Sequence, residues 1–204
     1  MSVGSFRFTF PFLDKQSHSL YYDEQDVSDR LSKTLDEFVP SELLEPIVLV
    51  CIGSDRSTGD SLGPLVGSKL IERQMENFHL YGTLEKPVHA LNLEETLLHI
   101  TKRHTNPFII AIDACLGKAQ HVGSISIGKG PCKPGAAMNK SLPSVGNLHI
   151  HGIVNIHGFM EFFVLQNTRL HLVMKMAHVI ATSIQKTDYA ISLRKKRKEM
   201  IQKE

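Results

Sequence analysis

Two stretches of the chain are apolar at every position after a leading proline: Pro46-Ile-Val-Leu-Val-Cys-Ile52 and Pro107-Phe-Ile-Ile-Ala-Ile112. Runs rich in β-branched residues and bounded by Pro and Gly are what central strands of a parallel sheet look like, because both of their faces are covered. Elsewhere the pattern is periodic. Val27, Leu31, Leu35 and Phe38 recur every three or four residues and predict an amphipathic helix from Glu24 to Phe38, closed by Pro40. Gly53–Gly59 is a polar loop. A helix is predicted to begin near Asp60 or Ser61 and to turn Leu62, Leu65, Val66, Leu70 and Ile71 inward. Pro64 fits there because the first helical turn needs no N–H from it.

The pattern then repeats in kind. A short strand near Val88–Leu91 leads to a helix capped by Asn92, with Glu94 and Glu95 in its electropositive first turn. The second apolar strand ends in Asp113. Val122–Ile127 alternates with period two and reads as a half-buried strand, and Leu148–Val154 as another. Closing helices are predicted over Gly158–Gln166 and Thr168–Gln185, with Phe159, Phe162, Phe163 and the Met174–Met176 region in the core. Strands alternating with helices predict one α/β domain over residues 1–204, a three-layer α/β/α sandwich with a mainly parallel sheet. Residues 1–22 are expected to be loosely held and residues 187–204 to be a basic tail. The Gly/Pro/Lys loop Gly128–Leu142 is too long for a plain connector and is expected to serve function.

Composition narrows the class. Of 204 residues, 42% are hydrophobic and 22% charged, which excludes wholesale disorder, collagen and coiled coil. The net charge of +2 gives no strong nucleic-acid signal, but it is unevenly placed. Met1–Glu45 holds 4 basic and 9 acidic residues, and Lys186–Glu204 holds 7 basic and 3 acidic. The Arg194–Lys198 run is expected to be a solvated charge run. Three widely spaced cysteines, Cys51, Cys115 and Cys132, suggest neither a disulfide framework nor a zinc motif, and fit a reducing cytoplasm. The longest apolar run falls far short of the ~20 residues of a membrane span, so no membrane partner is expected.

The candidate chemistry lies where open α/β sheets bind ligands, beyond the carboxyl ends of the strands. Asp60 follows the first apolar strand and Asp113 the second. If these strands are neighbours, both carboxylates enter one crevice. Close carboxylates do not both ionise cheaply, so such a pair can perform acid/base work. The plainer reading of the same residues is a helix cap at Asp60 and a strand end at Asp113. His149-Ile-His151 places two imidazoles on one strand face, with His157 close behind. Together with the two aspartates they are weak candidates for a nickel or zinc site. Cys115 is read as a small buried thiol rather than a nucleophile. The Gly53–Gly59 loop lacks the spacing of either common nucleotide-binding glycine motif, which argues against a nucleotide.

Gly53-x6-Asp60-x-Leu-Gly-Pro64 after a Val-rich strand, followed by Ile112-Asp113-Ala114, resembles the germination protease of spore-forming bacteria. The chain resembles still more closely the YyaC-type sporulation proteins related to that protease. The family segments read Gly-Asn-x4-Pro-Asp-Ala-Leu-Gly-Pro and Val-Asp-Ala-Leu; here Ser54 stands for Asn and Gly59 for Pro. Pro134-Gly-Ala-Ala-Met-Asn139-Lys140 is similar to the family's Pro-Gly-Ser-Gly-Val-Gly-Asn-Lys, shortened by one residue. The resemblance spans about Ile47 to Gln185. It implies an Asp60/Asp113 peptidase site without a cofactor, and small acid-soluble spore proteins as substrates. Gly53, Pro134, Gly135, Asn139 and Lys140 would contact the substrate in the cytoplasm of a sporulating cell. It implies a fold shared with hydrogenase-maturation peptidases, and with it the alternative of a metal-sensing peptidase. A non-catalytic sporulation protein, a homo-oligomer and a proregion in the acidic N-terminal segment stay open.

Overall fold

The computed structural model describes residues 18–40, 45–135 and 142–202. Six strands form one sheet: β1 (His18–Tyr21), β2 (Ile47–Cys51), β3 (Phe78–Tyr81), β4 (Phe108–Gly117), β5 (Ser124–Lys129) and β6 (Leu148–Ile156). Their order across the sheet is β1-β5-β6-β4-β2-β3. The pairs β2–β3, β2–β4 and β4–β6 are parallel, whereas β5 runs antiparallel to both β1 and β6. The two all-apolar runs are the central neighbours β2 and β4, with Cys51 opposite Ile112. The architecture is the expected layered α/β sandwich with a mainly parallel sheet.

Helices cover the two faces unequally. On one face α1 (Val27–Phe38), α2 (Leu62–Ile71) and α5 (Leu170–Ile201) bury Leu31, Leu35, Leu62, Val66, Leu70, Val173, Met176 and Ile180 together with Leu49, Ile110, Ile112 and Ile150. On the other face α3 (Leu93–Arg103) supplies Leu93 and Ile100 to a smaller cluster with Val48, Val50, Ala111, Cys132 and Val145.

Several expectations are corrected. The strand expected at Val88–Leu91 shrinks to one bridge between Val88 and Ile52. Asn92 bends the chain there: its Oδ1 accepts the His89 N–H at 2.8 Å, and the His89 carbonyl accepts the N–H groups of Asn92 and Leu93. β4 does not stop at Asp113 but runs to Gly117, because β6 lies alongside and supplies ladder partners. The edge strands β1 and β3 are each four residues long and carry no apolar run.

Phe159, Phe162 and Phe163, expected in the core, stand at the surface around the short helix α4 (Glu161–Gln166), Phe159 at 92% exposure. Only Leu165 of this helix is buried, since one turn and a half can turn just one side chain inward. Met176 is buried and Met174 is exposed. The basic run Arg194–Lys198 belongs to α5, not to a tail. No Gly or Pro interrupts residues 170–201, and Ile191 and Ser192 are buried. Asp188 pins this end of α5 by accepting the backbone N–H groups of Glu76 and Asn77 at 3.1 and 2.8 Å. Among the described residues no helix is long and apolar enough to cross a membrane.

Candidate active site

The loop after β2 is folded back on itself by backbone contacts. Ile52 N–H donates to the Ile112 carbonyl and Gly53 N–H to the Val88 carbonyl. Gly53 has φ of 139°, and a Cβ there would lie 1.9 Å from the Asp60 carbonyl oxygen. Only glycine allows that approach. Ser54 N–H then donates to the same carbonyl at 3.2 Å, closing the loop. Asp60 sits in the turn Gly59–Ser61 that opens α2, and the Ser61 hydroxyl donates to the Thr58 carbonyl at 2.7 Å. Gly63 brings this first turn against β2, where a Cβ would lie 2.1 Å from the Ile52 carbonyl oxygen. Burial raises the Asp60 carboxyl above the usual carboxylate range; the Ser54 N–H and the His89 charge pull the other way.

Asp113 is set by the alternation of β4. Ile110 and Ile112 point to the large core, so Ile109, Ala111 and Asp113 point to the other face. Its side chain is buried, at 7% exposure. Ala114 N–H donates to Oδ1 at 2.9 Å, and the Cys132 thiol lies 3.7 Å from Oδ2 as a weak donor. Burial first, and the Asp60 charge second, push the Asp113 carboxyl up to about 7. The two sequence-predicted aspartates therefore feel each other across one buried site.

The imidazoles form its wall. His151 is the register partner of Asp113 on β6, and its Nε2 lies 3.2 Å from Cys132 Sγ. The His149 ring stacks on it at 4.5 Å between centroids. His149 Nδ1 is 3.0 Å from the Gly130 carbonyl, which only accepts, so that nitrogen carries the proton. Burial, followed by the His149 charge, pushes His151 down to about 3, leaving a neutral ring. Burial likewise pushes the thiols of Cys51, Cys115 and Cys132 far up, so none is a thiolate nucleophile at neutral pH.

Of the remaining sequence candidates, Pro134 is buried and Gly135 half-buried with φ of 69°. They follow Cys132, whose backbone is bonded twice to Val145 at 2.8 Å. Asn139 and Lys140 lie outside the described residues. His157 is past the end of β6, exposed, with its N–H on the Gly117 carbonyl. Among the described residues no group of three or more His, Cys, Asp or Glu is arranged to hold a metal ion. His149 and His151 each direct one ring nitrogen to a neighbour, Nδ1 of His149 to the Gly130 carbonyl and Nε2 of His151 to Cys132 Sγ.

Two residues of the site escape a reading of the sequence alone. His89 reaches Asp60 because the Val88 bridge lays it beside the Gly53 loop. Cys132 reaches Asp113 and His151 from 19 residues away on either side. The only signal in the sequence was the unusual length of the Gly128–Leu142 loop.

The family model described as "Protein of unknown function (DUF1256)" matches residues 19–183. The chain belongs to that family. Asp60, His89, Asp113, Cys132 and His151 all fall inside the stretch that matches DUF1256. The chain is 63% identical over 144 residues to the protein named "Uncharacterized protein YyaC" of Bacillus subtilis (strain 168), covering 71% of this chain and 70% of that one. Among solved structures it is similar to the NiFe hydrogenase maturation protease HycI from Thermococcus kodakarensis KOD1. That likeness has 16% identity and a TM-score of 0.48, over 75% of this chain and 97% of that one.

Proposed function

We propose that the chain is an aspartate-dependent peptidase of the germination-protease-like class, using Asp60 and Asp113. It acts in the cytoplasm of a sporulating or germinating cell, on small acid-soluble spore proteins. The observation that carries this reading is the pair of mutually repelling carboxyls, a half-buried Asp60 and a buried Asp113 that keeps its proton to about 7. A carboxyl that is protonated near neutral pH can donate, while its ionised neighbour can accept. Asp113 is the more buried of the two and holds the proton. Asp60, eased by His89 and the Ser54 N–H, is the carboxylate.

The peptide hydrolysis then balances. Asp60 takes a proton from water as the oxygen attacks the carbonyl carbon, and Asp113 gives its proton to the leaving amine as the C–N bond breaks. Water resets the pair. Asn139 and Lys140 are proposed to hold the developing oxyanion, and Pro134 and Gly135 to shape the loop that presents them.

Purified full-length protein incubated with small acid-soluble spore proteins tests this reading. Cleavage should fall by about a hundredfold or more in Asp60→Asn and in Asp113→Asn, the usual scale of general acid–base catalysis. Chelator should change little. Absence of cleavage by the unaltered protein, with the fold intact, would favour a non-catalytic role. Cleavage lost to chelator and restored by zinc or nickel would sink the two-carboxylate mechanism.

A further inference from the structure

The β3 edge of the sheet carries a second polar site that the carboxylate pair does not use. An open cavity of about 340 Å³ lies between the edge strand β3 and the end of α3. The titratable and charged groups facing it are His79 and Tyr81 from β3, and His99, Arg103 and His104 from α3 and its C-terminal end. No acidic residue lines it. Among the described residues, Arg103 forms none of the ion pairs.

The geometry concentrates donors. The His79 and His104 rings lie 4.4 Å apart, and Tyr81 Oη lies 2.9 Å from His104 Nε2. His99 and His104 each meet the Tyr81 ring edge-on at 6.0 Å. When His104 is neutral with Nε2 unprotonated, the Tyr81 hydroxyl spends its proton on that nitrogen. When His104 is protonated, Nε2–H donates to Oη and the hydroxyl proton is released to the cavity. Protonation thus adds a positive charge and a freed O–H donor at once. Burial and the charges of His79, Arg103 and His99 all oppose that protonation, a conflict that a bound anion relieves.

We infer that this cavity binds the phosphate group of a small phosphorylated molecule, gripped by Arg103, His79 and His104. A guanidinium fork beside imidazoles suits a tetrahedral dianion, which offers several acceptor oxygens at once. A phosphate ester takes up its own second proton near pH 6, in the range where imidazoles titrate. The volume lies at the lower end of small-molecule sites and exceeds what phosphate alone fills, so an organic body belongs beside it. A bound anion favours the protonated form of His104, and by linkage its affinity rises as pH falls.

Titration calorimetry of the full chain with glycerol 3-phosphate, inorganic phosphate and sulfate, at pH of about 6 and about 8, tests this. Glycerol 3-phosphate should bind more tightly than inorganic phosphate. Sulfate stays dianionic across this range, so a fall in its affinity of about tenfold toward the higher pH would isolate the imidazoles. Arg103→Gln should weaken the ester by about tenfold or more, and Lys102→Gln, which removes the same charge outside the cavity, should not. Equal losses in both variants, equal affinity for ester and inorganic phosphate, or no binding at the lower pH would each overturn the assignment. So would zinc binding abolished by His79→Gln and His104→Gln in a protein that ignores all three anions.

Discussion

On the face of β4 that meets α1, α2 and α5, Ile110 and Ile112 are fully buried in the same cluster as Leu49, Leu62 and Met176. On the opposite face of the same strand, Ile109 and Ala111 give way to Asp113, with His151 beside it on β6. Ile110 and Asp113 are both buried, and the meaning of burial is reversed between them. Burying Ile110 releases apolar surface from water and stabilises the fold. Burying Asp113 opposes its charge, and only the Ala114 N–H, the weak Cys132 contact and a retained proton offset the cost. One strand thus holds a stabilising face and a face that stores unfavourable electrostatics, as active sites commonly do.

Breaking the dry face should have the largest effect. Ile110→Ala leaves a cavity at a fully buried position and should cost about 2–5 kcal/mol in urea unfolding, with the surviving folded protein keeping the Asp113 titration. Asp113→Asn should do the opposite. The folded protein takes up this proton at about 7 and the unfolded chain only in the usual carboxylate range. Between those two values the folded state binds the extra proton, so stability falls as pH rises, and above 7 the whole penalty applies. Removing the charge should therefore stabilise the fold by on the order of 4 kcal/mol at pH of about 8 and hardly at all at pH of about 4. Thermal unfolding at both pH values checks this.

Gly53→Ala should be intermediate. Its backbone conformation and the clash with the Asp60 carbonyl predict a loss of about 1–3 kcal/mol, with Asp60 displaced and activity lowered in the folded fraction. The smallest effect belongs to the surface. Arg194 and Asp36 pair at 2.7 Å while about a third exposed each, and a double-mutant cycle should return about 0.2–1 kcal/mol, shrinking with salt.

The dry face was also the legible one. Ile47–Cys51 and Phe108–Ile112 announce central strands because both faces of each are covered; Asp113 directly follows the second run, and Asp60 follows the loop after the first. The polar face was not legible. His151 and Cys132 become partners of Asp113 only through strand order, which local pattern does not encode. His89 was hidden by a strand reading that Asn92 overrides. Phe162 and Phe163 fall at helical spacing, but spacing marks a face without saying that anything packs on it. The basic run at Arg194 reads as a tail by charge, yet nothing in residues 170–201 breaks the helix, and Asp188 anchors it.

The central claim is that Asp113 holds its proton to near neutral pH because it is buried and feels the Asp60 charge. Carbon-13 NMR of the labelled aspartate carboxyls, followed through a pH titration and assigned with Asp113→Asn, measures this directly. The Asp113 carboxyl should titrate at about 7 in the unaltered protein and lower in Asp60→Asn, though still above the usual carboxylate range because burial is the larger cause. An Asp113 that titrates as an ordinary surface carboxylate, or one indifferent to Asp60→Asn, would contradict the account.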